Sequence, residues 1–330
     1  MSLLDIFDGD AFSTRTMTEA IDALPYKPMR LEEYFTTKGV RETKVMIEHR
    51  EGRIRVLPTA PRGGTATTSE RRTRTVRAFV IPHIPYEDSI LASDLQNVRA
   101  FGSESQLEAF SQVVNEQLAD MKDDVLVTHD WHRAGAIVGK VYDADGSTLL
   151  LDMFSEFGIS ETNINIDLAT DDMKLKGHAI KRAMEDALGA DSYSGIKIFC
   201  SNTFFDALVV NPSVKEAYDR YQESSMFRAD DRFTGLEFPR GIFWENYRGK
   251  TGTLDFVADD VARCIPLGAS KIFDQIFGPA DFIETVNTTG KPMYAKQHRM
   301  KFDRGVEVHV ETNPLMICNR PSVLIKLTSV

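Results

Sequence analysis

The run Arg248-Gly249-Lys250-Thr251 has the residue types of a phosphate-binding loop. In a nucleotide-binding P-loop, backbone N–H groups and the lysine of a G-K-[S/T] ending hold the phosphates. That motif needs a glycine where Trp244 stands, and it must follow a buried strand and open a helix. Because residues 252–254 predict a turn into a strand, we interpret Lys250 as a solvated turn residue.

His129 and His132 are separated by one helical turn and could chelate a metal ion. A zinc site in proteins usually takes three or four ligands, and the chain contains no H-E-x-x-H run. We therefore expect polar groups on a helix surface, with His132 near the apolar stripe of that helix.

Residues 143–146, Asp-Ala-Asp-Gly, resemble part of a calcium-binding loop. Such a loop would place another aspartate two positions earlier, where Val141 stands, and would need a distal glutamate. The run lies between two short apolar segments, so it predicts the turn of a small β-hairpin.

Nucleophilic chemistry has little support in the sequence. A Ser-His-Asp triad can assemble from distant positions, but no G-x-S-x-G elbow is present. Cys200, Cys264 and Cys318 form no C-x-x-C pair, and we interpret them as reduced, buried, apolar side chains. No catalytic residue, metal ligand or cofactor is assigned, and the sequence favours a protein that is not an enzyme.

The elements around these residues mix helix and strand periodicities, and there is no internal repeat. The 330 residues are 42% hydrophobic and 27% charged, the composition of a globular protein with one large or two modest domains. There is no run of about 18 apolar residues, so no membrane span is predicted. Residues 1–5 show no features of a secretory signal.

Charge is distributed unevenly along the chain. The net charge is −10, which disfavours wrapping of nucleic acid by the protein as a whole. Residues 41–77, however, contain ten basic and four acidic residues, so this basic segment carries +6 and the remainder −16. We expect the basic segment of one copy to lie over the acidic surface of another. Its basic residues are Arg41, Lys44, Arg50, Arg53, Arg55, Arg62, Arg71, Arg72, Arg74 and Arg77.

The basic segment also has the periodicity of a long β-hairpin. Apolar and polar residues alternate from Thr43 onward and again over residues 72–80. A small-residue tip, residues 59–68, separates the two strands. A two-stranded ribbon with few large apolar side chains is marginally stable alone. It must therefore bind something or serve as an arm in an assembly.

The strongest helical signal begins at Ser105, which forms a capping box with Glu108. Apolar residues recur every three or four positions, with no Gly or Pro before Gly135, which predicts a helix over residues 105–137. The helix would be about 45 Å long, and its one-sided stripe predicts a spine lying across a sheet. The stripe comprises Leu107, Phe110, Val114, Leu118, Met121, Val125 and Thr128.

Shorter elements are predicted on either side of this helix. Before the basic segment, Pro25 and Pro28 predict an irregular or extended arm that depends on a neighbour for order. After the helix, Asp171 is expected to cap a helix whose apolar face is Met173, Ile180, Met184 and Leu188. Further expected elements are a strand at 196–200, helices near 204–210 and 211–221, and strands at 306–310, 315–318 and 323–327.

Two uses of the hairpin remain open. Its arginines could contact phosphates, but it lacks the interleaved aromatic residues that stack on bases. The alternating charge suits an acidic protein surface equally well. The leading hypothesis is a self-assembling structural subunit, and the alternative is a nucleic-acid-binding module that uses residues 41–77. A nucleotide-dependent enzyme centred on Lys250 comes third.

Several long runs are more specific than any short motif above. They are Pro58-Thr59-Ala60-Pro61-Arg62-Gly63, Pro279-Ala280-Asp281-Phe282, residues 287–296 and 313–318, and Arg320-Pro321. They resemble the lambda-like major capsid protein E family of tailed bacteriophages, and the resemblance extends over nearly the whole chain.

The resemblance implies the Hong Kong 97-type (HK97-like) capsid fold, which is α+β. Residues 1–40 would form an N-terminal arm and residues 41–88 the extended hairpin loop. A peripheral domain of residues 89–192 and 306–330 would carry the spine helix, and residues 193–305 would form an axial domain.

The resemblance also implies a major head protein that self-assembles as hexamers and pentamers of an icosahedral shell. The shell would enclose double-stranded DNA without sequence-specific binding, and the virion would form in the host cytoplasm. Expected partners are other copies of the chain, a scaffold, a portal and, as often in the family, a decoration protein, with no membrane. Covalent cross-linking in some relatives of the fold needs a Lys–Asn pair, and because Lys44 is the hairpin's one lysine, cross-linking is not predicted.

We therefore expect the intersubunit contacts to lie along the hairpin. Arg71, Arg72, Arg74 and Arg77 are expected to dock on acidic patches of adjacent subunits. The full set of expected contact residues is Arg50, Arg53, Arg55, Arg62, Gly63, Gly64, Arg71, Arg72, Arg74 and Arg77.

Overall fold

The computed structural model describes residues 17, 18, 21, 30–50, 74–91, 106–189, 191–221, 235–251, 254–269 and 271–330. The chain divides into two compact units. Unit 1 comprises Met1–Val45, Phe79–Arg133 and Asp274–Ile317, and unit 2 comprises Met46–Ala78, Ala134–Phe273 and Cys318–Val330.

The long helix predicted from the apolar stripe is confirmed. Helix α1 spans Gln106–Val138, 33 residues. Val114, Leu118, Met121 and Val125 are each no more than 3% exposed. Burial of each such side chain contributes about 1.5–3 kcal/mol. The predicted cap at Ser105 lies outside the described residues.

The stripe of α1 packs on a three-stranded antiparallel sheet in unit 1. The sheet has the order β15-β16-β4, formed by Tyr294–Arg299, Gly305–Thr312 and Ile84–Leu91. Val306, Val308 and Val310 alternate with less buried residues and share one core with the helix. This is the spine across a sheet that the one-sided stripe predicted.

The N-terminal residues that the structure describes are ordered by their own subunit. Met17 and Ile21 are 3% and 1% exposed and belong to the core under α1. Strand β1 (Phe35–Gly39) is extended as expected, and it pairs with β14 (Phe273–Phe277), which pairs in turn with β17 (Pro314–Cys318). The expected dependence of the arm on a neighbouring subunit stays a prediction.

The base of the predicted hairpin is present. Strand β2 (Lys44–Arg50) pairs with β3 (Arg74–Val80), and the N–H of Ile81 donates to the carbonyl of Thr43 at 3.0 Å. The predicted tip lies outside the described residues. So do Arg53, Arg55, Arg62, Gly63, Gly64, Arg71 and Arg72.

Unit 2 is built on a six-stranded mixed sheet. Its order is β7-β18-β13-β8-β10-β9, with β10 parallel to β8 and β18 parallel to β7. The strands are Thr162–Ile166 (β7), Gly195–Cys200 (β8), Gly235–Glu237 (β9), Ile242–Asn246 (β10), Val261–Leu267 (β13) and Ile325–Ser329 (β18). The same unit contains two small two-stranded sheets. One pairs β5 (Lys140–Tyr142) with β6 (Leu149–Asp152), and the other pairs β11 (Lys250–Thr251) with β12 (Leu254–Asp255).

Among the described residues, four helices accompany this sheet; the last three agree with predicted helices, and the first was not predicted. They are α2 (Met153–Phe157), α3 (Met173–Leu188), α4 (Asn202–Val210) and α5 (Pro212–Tyr221). The predicted face of α3 is buried.

The N-cap of α3 is Asp172 and not Asp171 as predicted. The Asp172 carboxylate accepts a hydrogen bond from the N–H of Lys174 at 2.8 Å. The Asp171 carboxylate instead accepts a hydrogen bond from the N–H of Asp167 at 2.7 Å. It therefore closes the turn before the helix and does not cap the helix.

Strand pairing joins segments that are distant in the chain. Strands β15 and β16 pair along their length, from Tyr294 opposite Glu311 to Arg299 opposite Val306. Strand β18 lies between β13 and β7 of unit 2, and the expected domain boundaries stay a prediction. No helix among the described residues is long and apolar enough to cross a membrane.

Candidate assembly surfaces

The lysine of the P-loop-like run lies in a strand. Lys250 opens β11 and pairs in register with Asp255 of β12. From Lys250 to Leu267 the described residues form strands and turns without a helix, so the helix that a P-loop requires does not follow the motif there. Leu254 begins a strand as predicted, residues 252 and 253 lie outside the described residues, and Lys250 lies in a strand and not in the predicted turn.

The two histidines of α1 are buried, which corrects the prediction of a helix-surface position. His129 and His132 are 1% and 2% exposed. The Nε2 atom of His129 lies 2.8 Å from the Thr312 hydroxyl, and its ring packs at 5.3 Å from that of Phe277. Burial, followed by the positive charge of Arg133, holds the pKa of His129 well below its usual value. Within the described residues, no group of three or more His, Cys, Asp or Glu could hold a metal ion.

The calcium-loop-like run is a hairpin turn, as predicted. Asp145 accepts hydrogen bonds from the N–H and hydroxyl groups of both Ser147 and Thr148, at 2.7–2.9 Å. These bonds, led by the Thr148 hydroxyl, lower the pKa of Asp145. Because the carboxylate is occupied by its own turn, it closes the β5–β6 connection.

The three cysteines are free and buried, as the sequence predicted. Cys200 and Cys264 lie on the adjacent strands β8 and β13, and Cys318 ends β17. Burial raises the pKa of Cys318 to about 12 and also raises those of Cys200 and Cys264. Protonated, buried thiols behave as small apolar side chains.

A buried polar network holds β1 and β14 on α1 in unit 1. The Nε and Nη2 atoms of Arg133 donate to the side-chain oxygen of Gln275 at 2.9 and 2.8 Å. The side-chain amide of Gln275 donates to the Thr37 hydroxyl at 2.5 Å. Glu32 lies 3.7 Å from Arg133 and supplies a partner charge. The network explains how a guanidinium that is 2% exposed can be accommodated.

Strand β3 presents two different faces at the hairpin base. On one face, Arg77 is half-buried and Phe79 is buried. On the other face, Val76 is 52% exposed and Val80 is 66% exposed. The guanidinium of Arg77 lies 4.8 Å from the ring centre of Phe157, and its Nη2 lies 3.4 Å from the Phe157 carbonyl. Arg77 is thus held by its own subunit. The side chains of Arg50 and Arg74, although their backbones lie in β2 and β3, are outside the described residues.

An acidic face lies on the exposed side of unit 1. It consists of Glu116, Asp120 and Asp124, at successive turns of α1, and Asp88 of β4. The Tyr86 hydroxyl donates to Asp124 at 2.9 Å, and this bond, burial and the charges of Asp124, Asp88 and Asp120 raise the Tyr86 pKa. Like charges at i, i+4 are mutually destabilising on a helix. Their four-residue spacing was visible in the sequence but was not singled out there.

The fold matches that of phage capsid subunits. A solved structure, the capsid of the cyanophage P-SCSP1u, aligns with a TM-score of 0.50 over 93% of this chain and 91% of that chain, at 11% identity. The architecture is the HK97-like capsid fold.

Sequence comparison then identifies the family. The phage major capsid protein E model matches residues 13–329, and the chain belongs to this family. The major capsid protein of Pseudomonas phage KPP10 is 28% identical over 278 residues, which cover 77% of this chain and 78% of the relative. The major capsid protein of Salmonella phage Felix O1 is 24% identical over 328 residues, 88% of each chain.

Family membership decides between the hypotheses drawn from the sequence. The chain is a major capsid protein, a component of the virion that associates with copies of itself to form the phage shell. It is a structural subunit and not an enzyme. The comparisons give no support to the alternative of a nucleic-acid-binding module.

Proposed function

We propose that the basic segment 41–77 is a strap that docks on the acidic face of an adjacent subunit in the shell. The observation that carries this proposal is the opposite charge of the two parts, +6 for the basic segment and −16 for the remainder. A positive strand over a negative helix face favours one register between neighbours and disfavours wrong pairings.

The acidic face supports the proposal because it clusters three carboxylates of one helix beside Asp88 of β4. Glu116, Asp120 and Asp124 are all exposed. Guanidinium groups form paired, charge-assisted hydrogen bonds with carboxylates, which would offset the repulsion along the helix. Such a contact weakens as salt screens it.

Arg77 has a separate role in this proposal. Its contact with Phe157 holds the base of the hairpin to its own unit. Arg71, Arg72 and Arg74, which precede Arg77 in the chain, would then make the contact with the neighbour. Arg50, Arg53, Arg55, Arg62, Gly63 and Gly64 would form the remainder of the strap.

The domain assignment follows the strand pairing. We infer that unit 2, with the six-stranded sheet, corresponds to the axial domain, and that unit 1, with α1 and its sheet, corresponds to the peripheral domain. Hexamers and pentamers of an icosahedral shell around double-stranded DNA, a scaffold, a portal and a decoration protein are proposed from family membership.

Charge reversal tests the strap. We expect the double variant Arg71→Glu/Arg72→Glu to fold normally and to form few or no shells, measured by circular dichroism and by negative-stain microscopy with sedimentation. The control is Lys174→Glu/Arg182→Glu, which changes the net charge equally on the exposed surface of α3. Normal shell yield from the strap variant would contradict the proposal.

A reciprocal change identifies the seat of the strap. Glu116→Arg/Asp120→Arg should also prevent assembly, and combining it with Arg71→Glu/Arg72→Glu should restore part of the shell yield. If both pairs of changes prevent assembly and their combination restores nothing, the acidic face is not the seat.

A further inference from the structure

The turn between β15 and β16 exposes a phenylalanine in an unfavourable backbone conformation. The N–H of Met300 donates to the carbonyl of Gly305 at 3.0 Å and closes the turn. Phe302 within it has φ 62° and ψ 24°, and the residue is 88% exposed. Asparagine or glycine would occupy the left-handed region with less strain than an aromatic residue.

The turn is held firmly to the sheet behind it. Gly305 lies opposite Leu91 of β4, and a Cβ atom on Gly305 would lie 2.2 Å from the carbonyl oxygen of Ile90. Only glycine permits so close an approach of the two strands. Phe302 is therefore presented from a defined position on the sheet, where the subunit itself gains little from its apolar ring.

The surroundings of Phe302 are cationic. Residues 299–304 contain Arg299, Lys301 and Arg304 against a single acid, Asp303. The guanidinium carbon of Arg304 lies 5.9 Å from the ring centre of Phe302, within the range of a cation–π contact. An aromatic anchor beside arginine and lysine is the composition enriched at the energetic centre of protein interfaces.

We propose that Phe302 is an intersubunit anchor, covered in the shell by an acidic, partly apolar surface of a second copy of this chain. A second copy is the partner that shell formation supplies, and the chain outside residues 41–77 carries −16, which complements the cationic turn. Two such turns would repel each other, so the contact joins the turn to a different surface of the neighbour. It is distinct from the strap.

Nucleic acid is a less suitable partner for this turn. Aromatic side chains bind nucleic acid by stacking on exposed bases, which a duplex does not offer. A lone aromatic residue on a chain of net charge −10 gives no continuous basic track along a phosphate backbone.

Substitution by asparagine separates assembly from folding. Phe302→Asn should leave the urea unfolding midpoint of the subunit unchanged or raised, because asparagine accepts the left-handed conformation. Shell yield at fixed protein concentration should fall at least about tenfold, the effect of losing one anchor residue repeated at each contact. Phe302→Trp, which retains an aromatic ring, should keep the yield within about twofold of the unaltered chain.

Four results would contradict the proposal. One is full shell yield from Phe302→Asn, and a second is a shell loss that is matched by a lowered unfolding midpoint. In a third result, the unaltered subunit binds DNA in a salt-dependent way and Phe302→Asn loses that binding. This result would assign the turn to nucleic acid. The double variant Lys301→Glu/Arg304→Glu should likewise lower the shell yield at low salt. An unchanged shell yield, the fourth contrary result, would show that the surface covering Phe302 is not acidic. Whether the strap variants form shells does not depend on the results for Phe302, because those variants alter a different segment of the chain.

Discussion

The ammonium group of Lys122 donates to the main-chain carbonyl of Ile21 at 2.6 Å. The lysine is 6% exposed, and Ile21 is 1% exposed. A buried cation is stable only when its donors are occupied, and this bond joins the N-terminal arm to helix α1 within unit 1. The Thr18 hydroxyl lies 3.4 Å from the carbonyl oxygen and 3.3 Å from the nitrogen of Ala295 on the edge strand β15.

Removing the charge of Lys122 should loosen the arm. Lys122→Met keeps the length of the side chain but leaves the Ile21 carbonyl buried without this donor, which should cost about 1–3 kcal/mol. The change is measured as a lower urea midpoint and faster amide hydrogen exchange at residues 17–21. Lys174→Met, at an exposed position of α3, is the matched control. Equal exchange in both variants would show that Lys122 does not hold the arm.

The Arg133–Gln275 contact should be among the most sensitive in unit 1. Gln275→Leu removes the acceptor of two guanidinium N–H groups that are nearly inaccessible to water. A buried donor left without its acceptor costs about 1–3 kcal/mol, and more when the donor is charged, so the Leu variant should lose at least that much stability. Gln275→Glu keeps an acceptor for Arg133 and should lose less. A Leu variant as stable as the unaltered chain in urea would refute this assignment.

Acid should destabilise the subunit partly through His129. The buried imidazole is neutral in the folded chain because burial lowers its pKa. The unfolded chain takes up a proton near the ordinary pKa of about 6.5, so stability is lost as pH falls through that value. Between pH 7.5 and 5.5 this contribution is about 1.4 kcal/mol.

The comparison that isolates His129 is a substitution by glutamine. His129→Gln keeps a hydrogen-bonding group near Thr312 but cannot titrate. The difference in unfolding free energy between pH 7.5 and 5.5 should be smaller in this variant than in the unaltered chain by about 1.4 kcal/mol. Equal pH dependence of the two proteins would assign the acid sensitivity to other groups.

Thiol reactivity should be low in the folded subunit. Cys200, Cys264 and Cys318 are all no more than 1% exposed, and burial raises the pKa of each thiol. Since the thiolate is the reactive form, a chromogenic disulfide reagent should label the native chain slowly and label all three cysteines in guanidinium chloride. Fast labelling of one native thiol would show local opening near it.

Local patterns predicted the long helix well. The three- to four-residue spacing of Val114, Leu118, Met121 and Val125 appears directly as the buried side of α1, because apolar periodicity reflects which side of a helix must leave water. The hairpin turn at Asp145 was equally predictable, since its hydrogen bonds join residues no more than three positions apart.

Positions that depend on distant partners were not predictable. His129 and His132 look like polar helix residues in the sequence, yet they are buried. Their burial requires a partner such as Thr312, which lies 183 positions away from His129 in the chain. The sheet membership of β18 depends on pairing with β13 and β7, which periodicity does not encode.

The sequence by itself determined the class of protein, the opposite charges of its basic segment and its remainder, and the long helix α1. Local spacing and long family-specific runs are properties of contiguous residues, so they can be read along one chain. The tertiary structure decided which polar groups are buried, how the strands divide between the two units, and that Phe302 projects into solvent. These features depend on which distant segments come into contact, and side-chain burial and strand pairing are set only when they do.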